Sequence, residues 1–326
     1  MNRLQSRFQQ LTDELGKKIL GQPQLIERLL IALLADGHLL VEGAPGLAKT
    51  RAIRHLGRCI EGSFHRIQFT PDLLPADLTG TEVFRPQDGS FSFQQGPLFH
   101  NLLLADEVNR APAKVQSALL EAMEERQITV GQASYPLDDP FLVMATQNSI
   151  EQEGTYPLPE AQLDRFLLHV RVDFPDIEVE RHILGLARDE ARGEISRTAL
   201  SEAACAQLTR EELRQARLEV LALYMAANLE EYLLQLVLAT RDATPWGEDL
   251  VTWLACGASP RASIALDRCS RARAWLHGRD HVVPEDIQAL AGDVLRHRVL
   301  LSYEAEAEGI TPDRLVTELL NRVPVP

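Results

Sequence analysis

Short apolar runs alternate with segments of helical periodicity through the first half of the chain. Runs of this kind are typical of buried parallel strands when helices separate them. They fall at residues 39–41, 66–69, 102–105, 141–146 and 166–172. The pattern therefore predicts an α/β fold with a parallel five-stranded sheet.

Two amphipathic segments, residues 4–18 and 24–35, precede the first strand and have helical spacing. Between them lies Ile19-Leu20-Gly21-Gln22. By its residues alone, this segment is a helix end with a glycine cap.

Two β-hairpins are predicted as insertions in the helical parts of the core. Residues 82–84 and 91–93 flank an Asp-Gly pair at 88–89, and residues 127–130 and 133–135 flank Gly131. Asp-Gly between such runs is a strong turn signal. The aromatic residues of the first hairpin either join the core or project to make contacts, and a two-stranded ribbon has little core to join.

Strand signals stop at Phe174-Pro175-Asp176, and helical patterns dominate beyond this point. Residues 177–192, 209–225 and 229–241 are helical, and further helices are expected to start at prolines 260, 284 and 312. We therefore expect two domains, an α/β domain at 1–175 and an all-helical domain at 176–326.

The composition is that of a soluble globular protein, with 326 residues, 45% hydrophobic and 25% charged. Its apolar stretches are far shorter than the roughly 20 residues that span a bilayer. The first ten residues lack the pattern of a secretory signal, so we expect a cytoplasmic protein with no membrane span. The net charge of −14 disfavours nucleic acid as the main partner.

A glycine-bearing turn joins the first strand to the next helix. Its residues are Gly43, Ala44, Pro45, Gly46, Leu47, Ala48, Lys49 and Thr50. In a strand–turn–helix of this form, backbone N–H groups and the helix start converge on phosphates. Lys49 would reach the terminal phosphates, and the Thr50 hydroxyl would bind Mg²⁺. Ala48 stands where the usual pattern has glycine, which is tolerable if its backbone is helical.

Asp106 and Glu107 directly follow the predicted strand at 102–105. Asp106 would lie beside Thr50 and hold Mg²⁺ through water, while Glu107 could polarise a water for attack on the γ-phosphate. Asn148 follows the next strand and could bond to that water or simply form a turn. Combined with the phosphate-binding turn, the two carboxylates make nucleotide hydrolysis the leading hypothesis.

Two arginines occupy informative places. Arg165 lies at a helix-to-strand corner, and Arg261 lies in the first turn of a helix. A cation in the first turn opposes the helix dipole unless an anion compensates it, which favours a nucleotide partner.

Taken together, these residues resemble the MoxR family of AAA+ ATPases. The resemblance covers nearly the whole chain and is carried by residues 42–50, 104–112, 145–148, 153–166 and 257–261. It implies a P-loop core with two inserted hairpins at 1–175, which binds ATP and Mg²⁺, and a helical lid domain at 176–326.

The resemblance also implies roles for single residues. Lys49 and Thr50 match Walker A, Asp106 and Glu107 match Walker B, Asn148 looks like sensor 1, Arg261 like sensor 2, and Arg165 like an arginine finger that completes a neighbouring subunit's site. Ile19, Gly21 and Gln22 look like the segment around adenine. The family further implies a hexameric ring, a chaperone-like role and often a partner with a von Willebrand factor A domain.

Other functional classes remain open at this stage. A catalytically silent scaffold would lack the lysine or glutamate of the site, and both are present. A motor acting on nucleic acid would carry basic hairpins, but residues 127–135 contain no basic residue. A magnesium chelatase-like motor subunit would use the same parts. We expect a protein client contacted through the hairpin aromatics Phe84, Phe91, Phe93 and Tyr135, with Arg261 touching phosphate when the lid closes.

Overall fold

A parallel five-stranded sheet lies at the centre of the computed structural model, which describes residues 2–44, 47, 49–87, 89–131, 133–147, 154–192 and 207–326. Its strands are β1 Leu39–Gly43, β2 Phe64–Gln68, β5 Leu102–Asp106, β8 Leu142–Gln147 and β9 Leu168–Val172. Their spatial order is β2-β5-β8-β1-β9. The predicted parallel sheet is confirmed.

Helices of the α/β region connect these strands. Asn2 caps the first helix through a capping box, and Pro23 occupies the first turn of the second. Their bounds are α1 Arg3–Lys18, α2 Pro23–Leu34, α3 Lys49–Cys59, α4 Pro75–Thr79, α5 Ala113–Glu125 and α6 Glu160–Leu163.

Alternate residues of the strands point to two separate cores. Leu39, Val41 and Leu104 join the cluster that contains α1, α2 and α3, whereas Leu40 and Leu103 join the cluster that contains α5. Both faces of the sheet are therefore buried, as parallel sheets require.

Two antiparallel hairpins project from this region, β3 Gly80–Arg85 with β4 Ser90–Gln95, and β6 Gln127–Val130 with β7 Ala133–Pro136. The ring of Phe93 stacks on Tyr135 with centroids 4.3 Å apart, so the two hairpins pack on each other. Phe84 and Phe91 are 51% and 68% exposed. Phe93 is therefore packed against another side chain, whereas Phe84 and Phe91 project into solvent. Asp88 of the first turn lies outside the described residues.

Helices dominate the region after residue 176. One short antiparallel pairing, β10 Leu254–Cys256 with β11 Leu300–Leu301, is present in addition to the expected helices. The helices are α7 Ile177–Arg192, α8 Arg210–Leu221, α9 Ala227–Ala239, α10 Glu248–Trp253, α11 Pro260–Leu276, α12 Pro284–Leu295, α13 Tyr303–Ala307 and α14 Pro312–Arg322. Within the described ranges, no helix combines the length and apolar character needed to cross a bilayer.

The N-terminal helices pack against the lid. Phe8 of α1 meets Trp275 of α11 edge to face, with centroids 5.1 Å apart. Arg28 of α2 donates from Nε to Asp293 of α12 at 2.6 Å, and both side chains are buried. One apolar cluster therefore runs from α1 and α2 into the helical region. A boundary at 175/176 stays a prediction.

Candidate active site

The candidate site lies at the carboxyl edge of the sheet, where β1, β5 and β8 end. β1 pairs with β8 and β8 pairs with β5, so the ends at Gly43, Asp106 and Gln147 are neighbours. The carboxyl edge of an open parallel sheet is where such folds bind ligands. The parallel register therefore brings the phosphate-binding turn and the acidic pair together.

Gly43 and Lys49 anchor the described part of the phosphate-binding turn. A Cβ on Gly43 would lie 2.6 Å from the Val172 carbonyl oxygen, so only glycine fits against β9. Lys49 Nζ donates to the Gly43 carbonyl at 2.6 Å. Ala44 and Leu47 are buried, and Thr50 starts α3 with Lys49. Pro45, Gly46 and Ala48 lie outside the described residues.

Lys49 lies within the field of the acidic pair. Partial burial lowers the pKa of its ammonium, and Asp106, Glu107 and Glu42 oppose that effect by attraction. Desolvation disfavours the charged form of a lysine, whereas the nearby carboxylates favour it. A partly buried cation held by the Gly43 backbone carbonyl suits an incoming phosphate.

Thr146 of β8 holds both members of the acidic pair. Its hydroxyl donates to Asp106 Oδ1 at 2.6 Å and accepts from the Glu107 backbone N–H at 2.9 Å. Asp106 Oδ2 also accepts from Arg66 Nη2 at 2.6 Å. One hydroxyl thus fixes the two carboxylates relative to each other.

Glu107 has a left-handed backbone, with φ 57° and ψ 51°. This conformation costs a non-glycine residue about 1 kcal/mol or more, and such strain clusters at functional sites. Its Oε2 accepts from Gln68 Nε2 at 2.9 Å and lies 3.2 Å from Arg110 Nε. One side chain that precedes Glu107 in the sequence and one that follows it therefore hold its carboxylate. Asn148 lies outside the described residues.

Sequence reasoning missed Thr146, Gln68 and Arg66. Gln68 ends β2 and Thr146 lies one residue before the end of β8. Polar side chains at the carboxyl ends of parallel strands are the signal that identified Asp106, and the same rule would have found these two.

The segment before α2 lies against the start of α7. Ile19 is buried. Gly21 has φ +73°, and the Val179 side chain fills the space that a Cβ at this position would need. Gln22 Nε2 donates to the Asp173 carbonyl at 3.3 Å. Gly21 and Gln22 thus contact the segment that follows β9, and the role of Ile19, Gly21 and Gln22 at adenine stays a prediction.

Glu42, one residue before the phosphate-binding turn, is paired with two residues of β9. Its Oε2 lies 3.1 Å from His169 Nε2 and accepts from Arg171 Nε at 3.4 Å. The hydrogen bond from His169, ahead of the attraction of Arg171, lowers the pKa of Glu42 to about 2 against the opposing effect of burial. Arg171 also pairs with Asp313 of α14. Ion pairs therefore link the site to the lid.

Arg165 and Arg261 lie together at the opposite, amino edge of the sheet. Arg165 Nε is 2.9 Å from Glu124 Oε2, and Arg261 donates to the other oxygen of the same carboxylate. Arg165, Arg261 and Glu124 line a cavity of about 350 Å³ together with Asp36 and His38, which lie just before β1 in the chain. The structure thus brings the two predicted arginines to one place, away from Lys49.

His38 fixes the end of α5 that carries Glu124. Burial lowers the pKa of His38 to about 3, so its ring is neutral. The Val143 backbone N–H donates to Nδ1 at 3.1 Å, which leaves Nε2 as the donor to the Met123 carbonyl at 3.2 Å. The residue before Glu124 is therefore tied to the sheet.

The two edges are one strand length apart. β1 has five residues, and five residues of strand span roughly 16 Å. Arg165 and Arg261 make their ion pairs with Glu124 and none with the described residues of their own phosphate-binding turn. Charge stabilisation by these arginines at a nucleotide requires a second copy or a large lid movement.

Comparisons with known proteins agree with this geometry. Residues 38–168 match the family described as "ATPase family associated with various cellular activities (AAA)", and residues 252–319 match the "AAA lid domain". "Chaperone MoxR1" of Mycobacterium tuberculosis is 44% identical over 96% of this chain and 81% of its own length. "Protein MoxR" of Paracoccus denitrificans is 32% identical, covering 98% and 97%.

A solved structure gives the same fold. The crystal structure of a Cytophaga hutchinsonii protein assigned as an ATPase superposes with a TM-score of 0.88 at 44% identity, covering 99% of this chain and 96% of that one. Fold and sequence similarity therefore extend over the helical region as well as the α/β core.

Proposed function

The chain belongs to the MoxR family of AAA+ ATPases, a chaperone-like group, and from that premise we propose that Mg²⁺-dependent ATP hydrolysis at Lys49, Asp106 and Glu107 drives remodelling or maturation of a protein client in the cytoplasm. The convergence of these three residues at one edge of the sheet is the observation that carries this proposal.

The residues of the site fit a nucleotide with its metal. Among the described residues, Lys49 Nζ donates to the Gly43 carbonyl, which a phosphate oxygen can replace. Asp106 and Thr50 supply the oxygen ligands that Mg²⁺ prefers. Bound Mg²⁺ would neutralise charge on the phosphates.

Glu107 would act as the base that orients and polarises the attacking water. Gln68, Arg110 and Thr146 hold it in place, so little reorganisation would be needed at the moment of reaction. Asn148 follows β8 in the chain, and we assign it the contact to the water or the γ-phosphate.

A second copy of the chain would complete the site. Arg165 and Arg261 share Glu124 at the amino edge of the sheet, the edge opposite the one where Lys49 lies. In a ring, this edge would meet the carboxyl edge of the next subunit, and both arginines would stabilise the transition-state charge there. A closed ring, hexameric in this proposal, repeats the contact at each interface.

The client would be a protein, with an adaptor that carries a von Willebrand factor A domain as a further partner. Phe84 and Phe91 support this proposal because they are exposed at the tip of a hairpin, with ring centroids 5.2 Å apart. Arg85, which donates to Ser92, is the only arginine among the described residues of that hairpin. The surface of the hairpin therefore suits an apolar protein segment better than a phosphate backbone.

The test is turnover by Glu107→Gln. We expect this variant to bind ATP as the wild type does and to lose hydrolysis by at least about 10²-fold, the lower end of what a general base contributes. Glu14→Gln, which changes an exposed carboxylate on α1, is the control and should hydrolyse ATP normally. Undiminished turnover in Glu107→Gln would overturn the assignment.

A further inference from the structure

Helix α3 carries a stripe of positive charge along its outer side. Arg51, Arg54, His55 and Arg58 are spaced i, i+3, i+4 and i+7, which places them on one face of a helix. The helix contains no aspartate or glutamate. These four residues are here called the basic stripe.

The arginines of the basic stripe are exposed and unpaired. Over the described ranges, none of Arg51, Arg54 and Arg58 makes a side-chain hydrogen bond or an ion pair, and all three are exposed. Some exposed arginines elsewhere on the surface are paired with acids, as Arg214 is with Glu211 and Arg181 is with Glu178. The three arginines of the stripe instead form an uncompensated cluster on one helix face of a chain whose net charge is −14.

The stripe has no evident role in holding α3 to the fold. The opposite side of the helix does this through Ala52, Ile53 and Leu56, which are fully buried against the sheet. Like charges three or four residues apart destabilise a helix by a few tenths of a kcal/mol per pair. The arrangement thus has a small folding cost that an anionic partner would offset.

Neighbouring cations strengthen the stripe. The last turn of α1 adds Lys17 and Lys18, and α1 packs on α3. Partial burial, then the charges of Arg58 and Lys18, lower the pKa of His55 and favour its neutral ring, so the charge of the stripe is carried by its three arginines. Positive fields from two helices therefore converge on this surface.

We propose that the basic stripe is a docking surface for an acidic segment of a partner protein. Arg51 to Arg58 spans roughly 10 Å along the helix, which matches two turns of a partner helix with carboxylates on one face. A long polyanion such as duplex DNA would also meet the remaining surface of a −14 chain, which repels it. A short acidic segment meets only the stripe.

Docking here bears on the proposed function. α3 begins with Lys49 and Thr50, so the helix that holds the partner also carries the residues assigned to phosphate and metal. A rigid helix would transmit a shift at its first turn to the stripe. Peptide binding can be measured without turnover, which keeps this docking surface and the proposed hydrolysis separately testable.

The test is binding of a fluorescein-labelled 12-residue peptide of alternating glutamate and alanine pairs, followed by anisotropy at low and at high salt. Wild type should bind it and lose affinity as salt rises. Arg54→Glu replaces an attraction with a repulsion and should weaken binding about tenfold. The control is Lys114→Glu, an exposed lysine on α5 over the opposite face of the sheet, which should stay within about twofold because its charge lies outside the stripe.

Three outcomes would overturn the proposal. Equal weakening by Arg54→Glu and Lys114→Glu would show a general charge effect. Tighter binding of a 12-nucleotide single strand, lost in Arg54→Glu, would assign the stripe to nucleic acid. Dissociation of the oligomer in Arg54→Glu, seen by light scattering, would assign it to contact between copies of the chain.

Discussion

Arg165 Nε lies 2.9 Å from an oxygen of Glu124, and the other oxygen of this carboxylate accepts a hydrogen bond from Arg261. One acidic side chain thus holds two cations from the α/β region and the lid. No other ion pair involves either arginine within the described ranges. The guanidinium groups of Arg165 and Arg261 form a paired cationic site that suits an anion at the amino edge of the sheet.

Glu124→Gln should lower turnover without lowering ATP binding. The amide keeps the shape of the carboxylate but loses the charge that orients both arginines. Because these pairs are partly exposed, each is worth about 1 kcal/mol or less, so kcat should fall about three- to tenfold. Steady-state hydrolysis at saturating ATP measures this. Glu125→Gln, the next exposed carboxylate on α5, should have normal kcat; equal loss in both variants would refute the orienting role.

Arg261→Ala should leave ATP binding by the isolated subunit unchanged and reduce turnover in the assembled protein. Arg261 contacts Glu124 in this conformation, so under the proposal of a shared site it contributes where two copies meet. Arg261→Lys keeps the charge but loses the planar fork and should recover only part of the activity. Weaker ATP binding by monomeric Arg261→Ala would place the side chain at its own nucleotide instead.

Phe91→Ser and Phe93→Ser should separate client contact from hairpin packing. Phe93 stacks on Tyr135, so its loss should lower the free energy of unfolding by about 1 kcal/mol or more. Phe91 is 68% exposed, so its loss should leave the melting temperature nearly unchanged. Client capture by Glu107→Gln in ATP should fall when Phe91→Ser is added. Undiminished capture would remove this hairpin from client binding.

The Glu42 ion pairs should stabilise the fold in a pH-dependent way. The pKa of Glu42 is about 2 in the fold against an ordinary 4.5, so the contribution is fully present above about pH 4.5 and is lost as pH falls toward 2. Allowing for solvent screening, it amounts to about 1–2 kcal/mol. The difference in unfolding free energy between wild type and Glu42→Gln should shrink over that range. A constant difference from pH 6 to pH 3 would contradict the assignment.

The sheet, both hairpins and the helices followed from local patterns, because apolar spacing and turn residues act over a few positions. The pairing of Arg261 with Glu124 joins residues 137 positions apart and depends on how the lid packs on α5. No local pattern reports that distance. Thr146 was within reach of prediction, since its place near the end of β8 follows from the same rule as Asp106.

The central claim is that the active site is shared between two copies of the chain, and mixed oligomers test it most directly. Lys49→Ala should lose nucleotide binding, and Arg165→Ala should bind ATP but hydrolyse it about 10³-fold more slowly, the lower end of what a trans arginine supplies in GTPases. In mixtures of the two, some interfaces join an intact Lys49 to an intact Arg165. The account predicts that ATP hydrolysis recovers in verified mixed oligomers beyond the sum of the separate variants; mixed oligomers without recovery would contradict it.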